Sequence, residues 1–274
     1  MTVHNIKTRV VSALIAVIIL ISVIYFFKEN GMLILGVAIV FKGILEQSKL
    51  YFLNVPDKKL KILFIVTSFS GFLYTLFSPF ERGLSISTSI AFVLSNMSGI
   101  VMHKKFKSIS DLQIFSSQFM AGFIYSAIMP AIILGLLKIP NGLYWFFCLL
   151  VVVFSGDIGA YLFGTLWGKR KIAPLLSPKK SIEGSVGGLL FSTLAGAGFS
   201  FIIPDTPILI MIFVGFIGGL LGQVGDFYES LMKRIAGVKD SGSIMPGHGG
   251  VLDRLDGLYF ASPLFYIVIN YIIK

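Results

Sequence analysis

Long apolar runs without charge recur along this chain, and they constrain its fold more than any other feature. Residues 62–80, 83–102 and 112–137 contain no Asp, Glu, Lys or Arg. About 20 apolar residues let a helix cross a bilayer, whereas membrane strands alternate and need only about 10. The chain is 13% charged, against about 25% for a typical soluble domain. The sequence therefore predicts an all-α, polytopic integral membrane protein.

The apolar runs predict a bundle of about nine transmembrane helices. They cover residues 10–27, 31–48, 62–80, 83–102, 112–137, 141–167, 185–204, 206–230 and 257–273. The first run lacks a small-residue cleavage site, so we interpret it as a retained span rather than a signal peptide.

Basic residues are divided unequally between alternate loops. The N-terminus and loops 49–61, 103–111, 168–184 and 231–256 hold 18 of the 23 Lys and Arg residues, and the opposite loops hold 4. Cytoplasmic loops carry this excess, so we expect a cytoplasmic N-terminus. The same rule accounts for the net charge of +10 without nucleic-acid binding. A single cysteine, Cys148, excludes a disulfide framework.

Three ionisable residues fall inside predicted spans. Lys42 and Glu46 are four residues apart and can neutralise each other on one helical face, as a structural pair or as a functional site. Asp157 needs a partner, and Gly156, Ala160, Gly164 and Gly168 around it recur every four residues. Such small residues let helices approach closely. Asp157 is either a hydrogen-bonded packing residue or the wall of a site.

The stretch 177–188 combines a turn with two lysines and a helix start. Pro178 is followed by Lys179, Lys180 and Ser181, before a glycine-rich apolar run. Free backbone N–H groups and the helix dipole favour anions at such a start, which suits a phosphate. The alternative is an ordinary basic loop that contacts anionic headgroups without a specific site.

The stretch 225–256 carries the densest polar chemistry. A helix would place Asp226, Glu229, Ser230, Lys233 and Arg234 along one stripe. Asp253 and Asp256 are three apart at the start of the last span, so they can converge with Asp226. Three carboxylates form a hard oxygen site suited to Mg²⁺, which shares its other positions with water and phosphates. We therefore predict metal-assisted phosphoryl or nucleotidyl transfer; a solvated loop with scattered ion pairs is the alternative.

His248 lies among glycines that permit close backbone approach to a ligand. Its role stays open between an orienting or phosphate contact, a general acid or base, and a structural residue.

These motifs resemble those of the phosphatidate cytidylyltransferases, also called CDP-diacylglycerol synthases. The similarity is densest in 27 residues, 230–256, which contain Ser-x-Met-Lys-Arg, Lys-Asp and Pro-Gly-His-Gly-Gly-x-x-Asp-Arg-Leu-Asp. Stretches 157–169 and 177–184 are similar to other segments of that family. Met245 and Ser181 depart mildly from its usual residues, which are Leu, Ile or Phe and Thr.

The resemblance implies transfer of a cytidylyl group from CTP to phosphatidate, with Mg²⁺ as cofactor. It also implies a homodimer. We expect residues 1–140 to form N-terminal helices and residues 141–274 a catalytic region. The expected location is the inner (plasma) membrane, with the active site on the cytoplasmic side.

The expected roles fall into three groups. We expect Mg²⁺ at Asp226, Asp253 and Asp256, which could hold a second cation as well. Substrate contacts are expected at Asp157, Lys179, Lys180, Ser181 and Ser230. The catalytic group comprises Asp226, Lys233, Arg234, Lys239, Asp240, His248 and Arg254.

Three other functions remain open from the sequence. A related transferase could use CTP with another lipid phosphate. The CDP-alcohol phosphotransferase pattern begins with Asp-Gly, as at Asp256, but its arginine and later aspartates are missing from residues 258–262. An ion-coupled transporter would use Lys42, Glu46 and Asp157.

Overall fold

A computed structural model describes residues 3–52, 57–243 and 249–273. In these residues, seven helices are long and apolar enough to cross a membrane. The predicted all-α polytopic membrane fold is confirmed. The predicted spans 10–27 and 185–204 are also helical but are not among the seven, so the count of nine is not established.

The chain divides into two compact units. The first comprises residues Met1–Ala131 and Ala236–Asp253, and the second comprises Ile132–Ile235 and Arg254–Lys274. This division is near the predicted boundary at residue 140, but it also assigns Ala236–Asp253, from the second half of the chain, to the first unit. The predicted functional separation of residues 1–140 from 141–274 stays a prediction.

The first unit is built mainly from four helices and the segment 236–253. Its elements are α1 (Val3–Tyr51), α2 (Lys58–Phe77), α3 (Phe80–Val101), a short 3₁₀ turn (His103–Lys105) and α4 (Ile109–Phe123), which continues through a π-helical turn (Ile124–Ile128) into α5 (Met129–Leu136). Only the first three residues of α5 belong to this unit, and the rest belong to the second. Lys28 has φ 48°, which breaks α1 into two helical stretches. The break lies in the predicted loop between the first two spans.

Aromatic rings fill the interior of the first unit. Phe64 and Phe119 are fully buried, and their ring centroids are 5.3 Å apart in an edge-to-face arrangement. Phe52 and Phe115 extend the cluster, at 4.9 Å from Phe64 and 5.9 Å from Phe119. Such pairs add about 0.5–1.5 kcal/mol beyond simple burial. The rings therefore tie α2 and α4 to the end of α1.

The second unit contains a helical bundle and a small hairpin. Its elements are α6 (Gly142–Trp167), β1 (Lys171–Ala173), β2 (Ser177–Ser181), α7 (Ile182–Phe199), α8 (Ile208–Ile235) and α9 (Leu252–Ile267), which ends in a π-helical turn (Val268–Ile272). The start of α9 belongs to the first unit. The antiparallel hairpin, which pairs Lys171 with Ser181, was predicted only as a loop.

Small residues pack α6, α7 and α8 against one another. A Cβ atom added at Gly188 of α7 would lie 2.9 Å from the Gly156 carbonyl oxygen of α6. On the other side of α7, a Cβ at Gly196 would lie 2.7 Å from the Gly215 Cα of α8. Backbones can come this close only without side chains between them. The predicted close packing around Asp157 is confirmed.

The outward faces of the helices are apolar. Ile90, Phe92 and Met97 of α3 are more than half exposed, as are Val186 and Leu194 of α7. Exposed apolar side chains on helices long enough to cross a bilayer indicate contact with lipid rather than water. This pattern agrees with a multi-pass membrane protein.

Candidate functional site

A cavity of about 370 Å³ lies within the second unit, and five predicted substrate or metal residues line it. These are Asp157, Lys179, Lys180, Ser181 and Asp226. The other lining residues are Ala160, Tyr161, Gly164, Thr165, Ile172, Gly184, Ser185, Gln223 and Phe227. Three segments far apart in sequence therefore converge on one cavity that holds charges of both signs.

Each side of the cavity comes from a different element. Asp157 lies on α6, Lys179 and Lys180 on β2, and Asp226 on α8. A glycine sets the distance between α6 and α7, the helix that follows β2, because a Cβ at Gly184 would lie 2.8 Å from the Ala160 carbonyl oxygen. A bulkier residue there would separate α7 from α6.

Lys180 links the hairpin to α8 inside the cavity. Its Nζ lies 2.8 Å from Oδ2 of Asp226 in an ion pair, with side chains 29% and 35% exposed. The same ammonium stands 4.2 Å from the centroid of the Phe227 ring, which adds a cation–π contact. An ammonium has three N–H donors. Lys180 therefore keeps donor capacity for an anionic ligand.

Two carboxyl groups meet at the junction of α8 and α9. Asp256 is only 7% exposed, and its carboxyl shares a hydrogen bond with that of Asp226. Two carboxylates in hydrogen-bond contact repel each other unless a proton or a cation is held between them. Asp157 lies within electrostatic range of Asp226, Lys180 and Arg254. The predicted residues Asp226, Asp256, Asp157 and Arg254 are thus brought into one charged cluster.

The carboxylate oxygens of this cluster are the donor atoms that a hard divalent cation prefers. Mg²⁺ is usually held by one or two carboxylates and completes its shell with water and substrate phosphates. Asp226 and Asp256 supply that number of carboxylates. In the described part of the chain, no group of three or more His, Cys, Asp or Glu side chains is arranged to hold a metal ion. The site of three carboxylates that includes Asp253 stays a prediction.

Ser181 has a structural role at the edge of the cavity. It is the N-cap of α7, where its Oγ accepts a hydrogen bond from the Gly184 N–H at 3.2 Å. Its predicted contact with substrate is not tested by this geometry. A serine cap satisfies one of the free N–H groups at a helix start and orients that start toward the cavity.

Glu183 fastens the loop after α6 to the first turn of α7. It accepts hydrogen bonds from the backbone N–H groups of Lys169 and Arg170, at 3.1 and 3.2 Å, and from Arg170 Nε at 3.1 Å. The pKa of the Glu183 carboxyl is lowered to about 2. The main cause is its hydrogen bond with its own backbone N–H, followed by those with the Arg170 side chain and with these two N–H groups. The contacts hold the chain that leads into the hairpin against the first turn of α7.

Two predicted cationic residues make contacts away from the cavity lining. Lys233 Nζ is 2.5 Å from Oε2 of Glu229, which is buried, one turn earlier on α8. Arg234 donates from Nε to the Leu176 carbonyl oxygen at 3.3 Å. Ser230 is half-buried on α8 and does not line the cavity. Their predicted catalytic and substrate-binding roles stay predictions.

Ser185 and Gln223 are polar residues of the cavity that the sequence pattern did not indicate. Ser185 donates from Oγ to Oε1 of Gln223, and Gln223 Nε2 donates to the Ser185 carbonyl oxygen at 3.0 Å. Gln223 precedes Asp226 by three residues and so shares its helical face. That spacing was the available signal, but glutamine is common on helices and gives no chemistry by itself.

A separate polar network lies within the first unit. Glu46 Oε2 accepts hydrogen bonds from the N–H groups of Val251 and Leu252, at 2.8 and 3.2 Å. Asp253 Oδ2 accepts from Ser241 N at 2.9 Å and from Gly250 N at 2.7 Å. The predicted ion pair between Lys42 and Glu46 is wrong, because the Glu46 carboxylate is directed to these backbone groups instead.

The remaining predicted residues lie in or beside the segment 236–253. Lys239 and Asp240 are exposed in the first unit. His248 lies outside the described residues, so its three alternatives remain open.

Comparison with known proteins identifies relatives over nearly the whole chain. The model of the cytidylyltransferase family matches residues 7–272. A phosphatidate cytidylyltransferase of Staphylococcus saprophyticus is 32% identical over an alignment that covers 96% of this chain and 98% of that protein.

Two further relatives carry the same name and align over a shorter region. The proteins of Staphylococcus haemolyticus and Staphylococcus aureus are 44% and 43% identical over 130 residues. Those alignments cover 47% of this chain and 50% of each relative, so they span about half the length of those relatives.

Proposed function

The chain belongs to the cytidylyltransferase family of CTP-dependent nucleotidyltransferases, and from this premise we propose that it transfers a cytidylyl group from CTP to phosphatidate. The products are CDP-diacylglycerol and pyrophosphate. The acceptor is inferred from the relatives named phosphatidate cytidylyltransferase.

The observation that carries the proposal is the cavity in the second unit. It combines Lys179 and Lys180 with Asp157 and Asp226 on three separate elements. Nucleotidyl transfer depends mainly on holding phosphates in line and neutralising their charge. Lysines that can contact phosphate oxygens, next to carboxylates that can hold a cation, supply both requirements.

In the proposed reaction, a phosphate oxygen of phosphatidate attacks the α-phosphorus of CTP. A new P–O bond forms there, and the bond to the β-phosphate oxygen breaks, releasing pyrophosphate. A phosphate monoester already carries about −1.5 to −2 charge at neutral pH. The attacking oxygen therefore needs no strong general base, and Lys179 and Lys180 orient and neutralise the phosphates.

Asp226 and Asp256 are the proposed Mg²⁺ ligands. When bound there, Mg²⁺ would supply Lewis-acid charge neutralisation of the phosphate oxygens. The ion pair between Lys180 and Asp226 keeps the lysine next to this position. Arg254, close to Asp157, adds positive charge on the same side.

The proposed location is the cytoplasmic face of the plasma membrane. The basic loop 168–184 contains the hairpin that carries Lys179 and Lys180, and the positive-inside rule assigns such loops to the cytoplasm. CTP would then enter from the cytoplasm and phosphatidate from the adjacent leaflet. A homodimer, implied by the family resemblance, is also part of the proposal, and its mass in detergent would test it.

The experiment is to incubate purified protein with phosphatidate and CTP labelled in the α-phosphate. Label should appear in the organic phase, disappear with excess chelator and return on adding Mg²⁺. Asp226→Asn should lower turnover by at least about 100-fold, since it removes a proposed ligand of the Mg²⁺ that would neutralise the phosphate oxygens.

Asp205→Asn is the matched control, because Asp205 is an exposed aspartate of the same unit outside the cavity lining. It should keep wild-type turnover. Wild-type turnover in Asp226→Asn would contradict the proposed site. Label transferred to another lipid phosphate, but never to phosphatidate, would contradict the proposed acceptor.

A further inference from the structure

Glu46 is a buried carboxylate of α1 that the proposed reaction does not use. Its exposure is 1%, and it lies about 200 residues in sequence from its hydrogen-bond partners, with separations of 195 to 206. A buried charge is costly unless it is fully hydrogen-bonded. Its position therefore requires a specific set of donors.

Those donors are the backbone at the start of α9. The N–H groups of Val251 and Leu252 both donate to Oε2 of Glu46. The first N–H groups of a helix have no partner within the helix, and an anion is favoured beside them. Glu46 thus caps α9 from another helix, which fixes where α9 begins.

Ser241 connects this cap to Asp253. Its Oγ is 2.9 Å from Asp253 Oδ2 and 3.4 Å from Glu46 Oε2, so the hydroxyl stands between two carboxylates. There is no room for a side chain at Gly250, since a Cβ there would lie 2.6 Å from the Gly242 nitrogen. Both ends of the segment 241–253 are therefore held at one buried point.

We propose that Glu46 is a positioning residue for the transfer reaction, acting on the start of α9 by hydrogen bonds from Ser241, Val251 and Leu252. This inference rests on the proposed function, because Asp256 on α9 is a proposed metal ligand. Arg254 and Asp256 follow within one helical turn of the capped end. The start of α9, which lies within the stretch where the family resemblance is densest, thus depends on a residue from the first half of the chain.

The test separates the effect of side-chain length at residue 46 from the effect of side-chain charge. Glu46→Gln keeps the length and one carbonyl oxygen that can accept the same N–H groups, but it loses the charge. Glu46→Asp keeps the charge but is one methylene shorter. If position is set by hydrogen bonds, kcat should stay within about threefold of wild type in Glu46→Gln and fall at least about tenfold in Glu46→Asp. KM for CTP should change little in either, because Lys179 and Lys180 are untouched.

A second measurement needs no turnover. Lys239 is exposed beside the anchored segment, so trypsin cleavage after it reports local opening in detergent without substrates. Cleavage should be at least about tenfold faster in Glu46→Asp than in wild type, and near wild type in Glu46→Gln. Gln47→Leu is the control, since Gln47 is equally buried and its Nε2 has no hydrogen-bond partner in the described residues.

The two measurements separate the possible failures. Faster cleavage with unchanged kcat would overturn the positioning role and leave only a structural one. Higher kcat in Glu46→Asp than in Glu46→Gln would overturn a hydrogen-bond role in favour of charge. Wild-type protein that transfers no label to phosphatidate would overturn the proposed function, whereas the cleavage comparison would still test whether Glu46 anchors the segment.

Discussion

The two units of this protein are packed by opposite means. Large aromatic side chains such as Phe64 and Phe119 fill the first unit, whereas α6, α7 and α8 of the second unit meet through glycines and serines. In a membrane, helix association depends on close packing more than on burial from water, and both solutions achieve it. The difference is that one unit relies on side-chain volume and the other on the absence of side chains.

The cavity belongs to the unit with small residues, and there is a physical reason for this. Where backbones touch, as at Gly156 and Gly188, helix positions cannot adjust by changing rotamers. Charged groups on those helices, such as Asp157 and Asp226, then keep fixed separations. Transfer reactions need that precision, because misplacement by about 1 Å can cost about 100-fold in rate.

The largest expected effect on stability is in the first unit. Phe119→Ala removes a fully buried ring that contacts Phe52, Phe64 and Phe115, and it should lower the free energy of unfolding by about 3–5 kcal/mol. Thermal unfolding in detergent measures the loss. Phe92→Ala, at a 59% exposed ring of the same unit, should cost far less. Equal losses would contradict an aromatic core.

In the second unit, the expected effect comes from adding one methyl group. Gly196→Ala would place a Cβ 2.7 Å from the Gly215 Cα, which should destabilise the unit by about 1–3 kcal/mol. Gly198→Ala on the same helix meets nothing within 4 Å and should be neutral or slightly stabilising. The same unfolding measurement compares them. If both variants are neutral, close backbone packing does not hold this unit together.

Substrate binding should be affected through Lys180. Lys180→Met keeps the stem but removes the ammonium that pairs with Asp226, so KM for CTP should rise about tenfold, equivalent to about 1.4 kcal/mol. Steady-state kinetics with varied CTP measure this change. Lys104→Met, at an exposed lysine of the first unit, is the control and should keep the wild-type KM. An unchanged KM in Lys180→Met would remove Lys180 from the proposed CTP site.

The smallest expected effect concerns Glu183 and pH. Its folded pKa of about 2 is below the ordinary value of about 4.3, so its ionised form stabilises the folded state. That contribution is present above the ordinary value and is lost as pH falls toward 2. Melting temperature between pH 5 and 3 should therefore depend less on pH in Glu183→Gln than in wild type. Parallel pH profiles would contradict this contribution.

The sequence by itself determined the membrane fold and identified five of the residues that line the cavity. Charge-free runs such as residues 83–102 predict spans because crossing a bilayer is a local property of about 20 residues. Lys180 and Asp226 could also be selected locally, since lysines at a helix start suit a phosphate and carboxylates on one helical stripe suit a hard cation. Residue type and spacing along one helix were enough for these predictions.

Only the tertiary structure decided which polar groups meet. Glu46 was expected to pair with Lys42 on its own helix, but it accepts hydrogen bonds from Val251 and Leu252 instead. Gln223 lies in the cavity lining, where Ser185 of another helix donates a hydrogen bond to it. Such contacts join residues that are tens to hundreds of positions apart, and helical periodicity relates only neighbours three or four residues away. The partner of a buried polar group is therefore fixed by packing, which the local pattern does not contain.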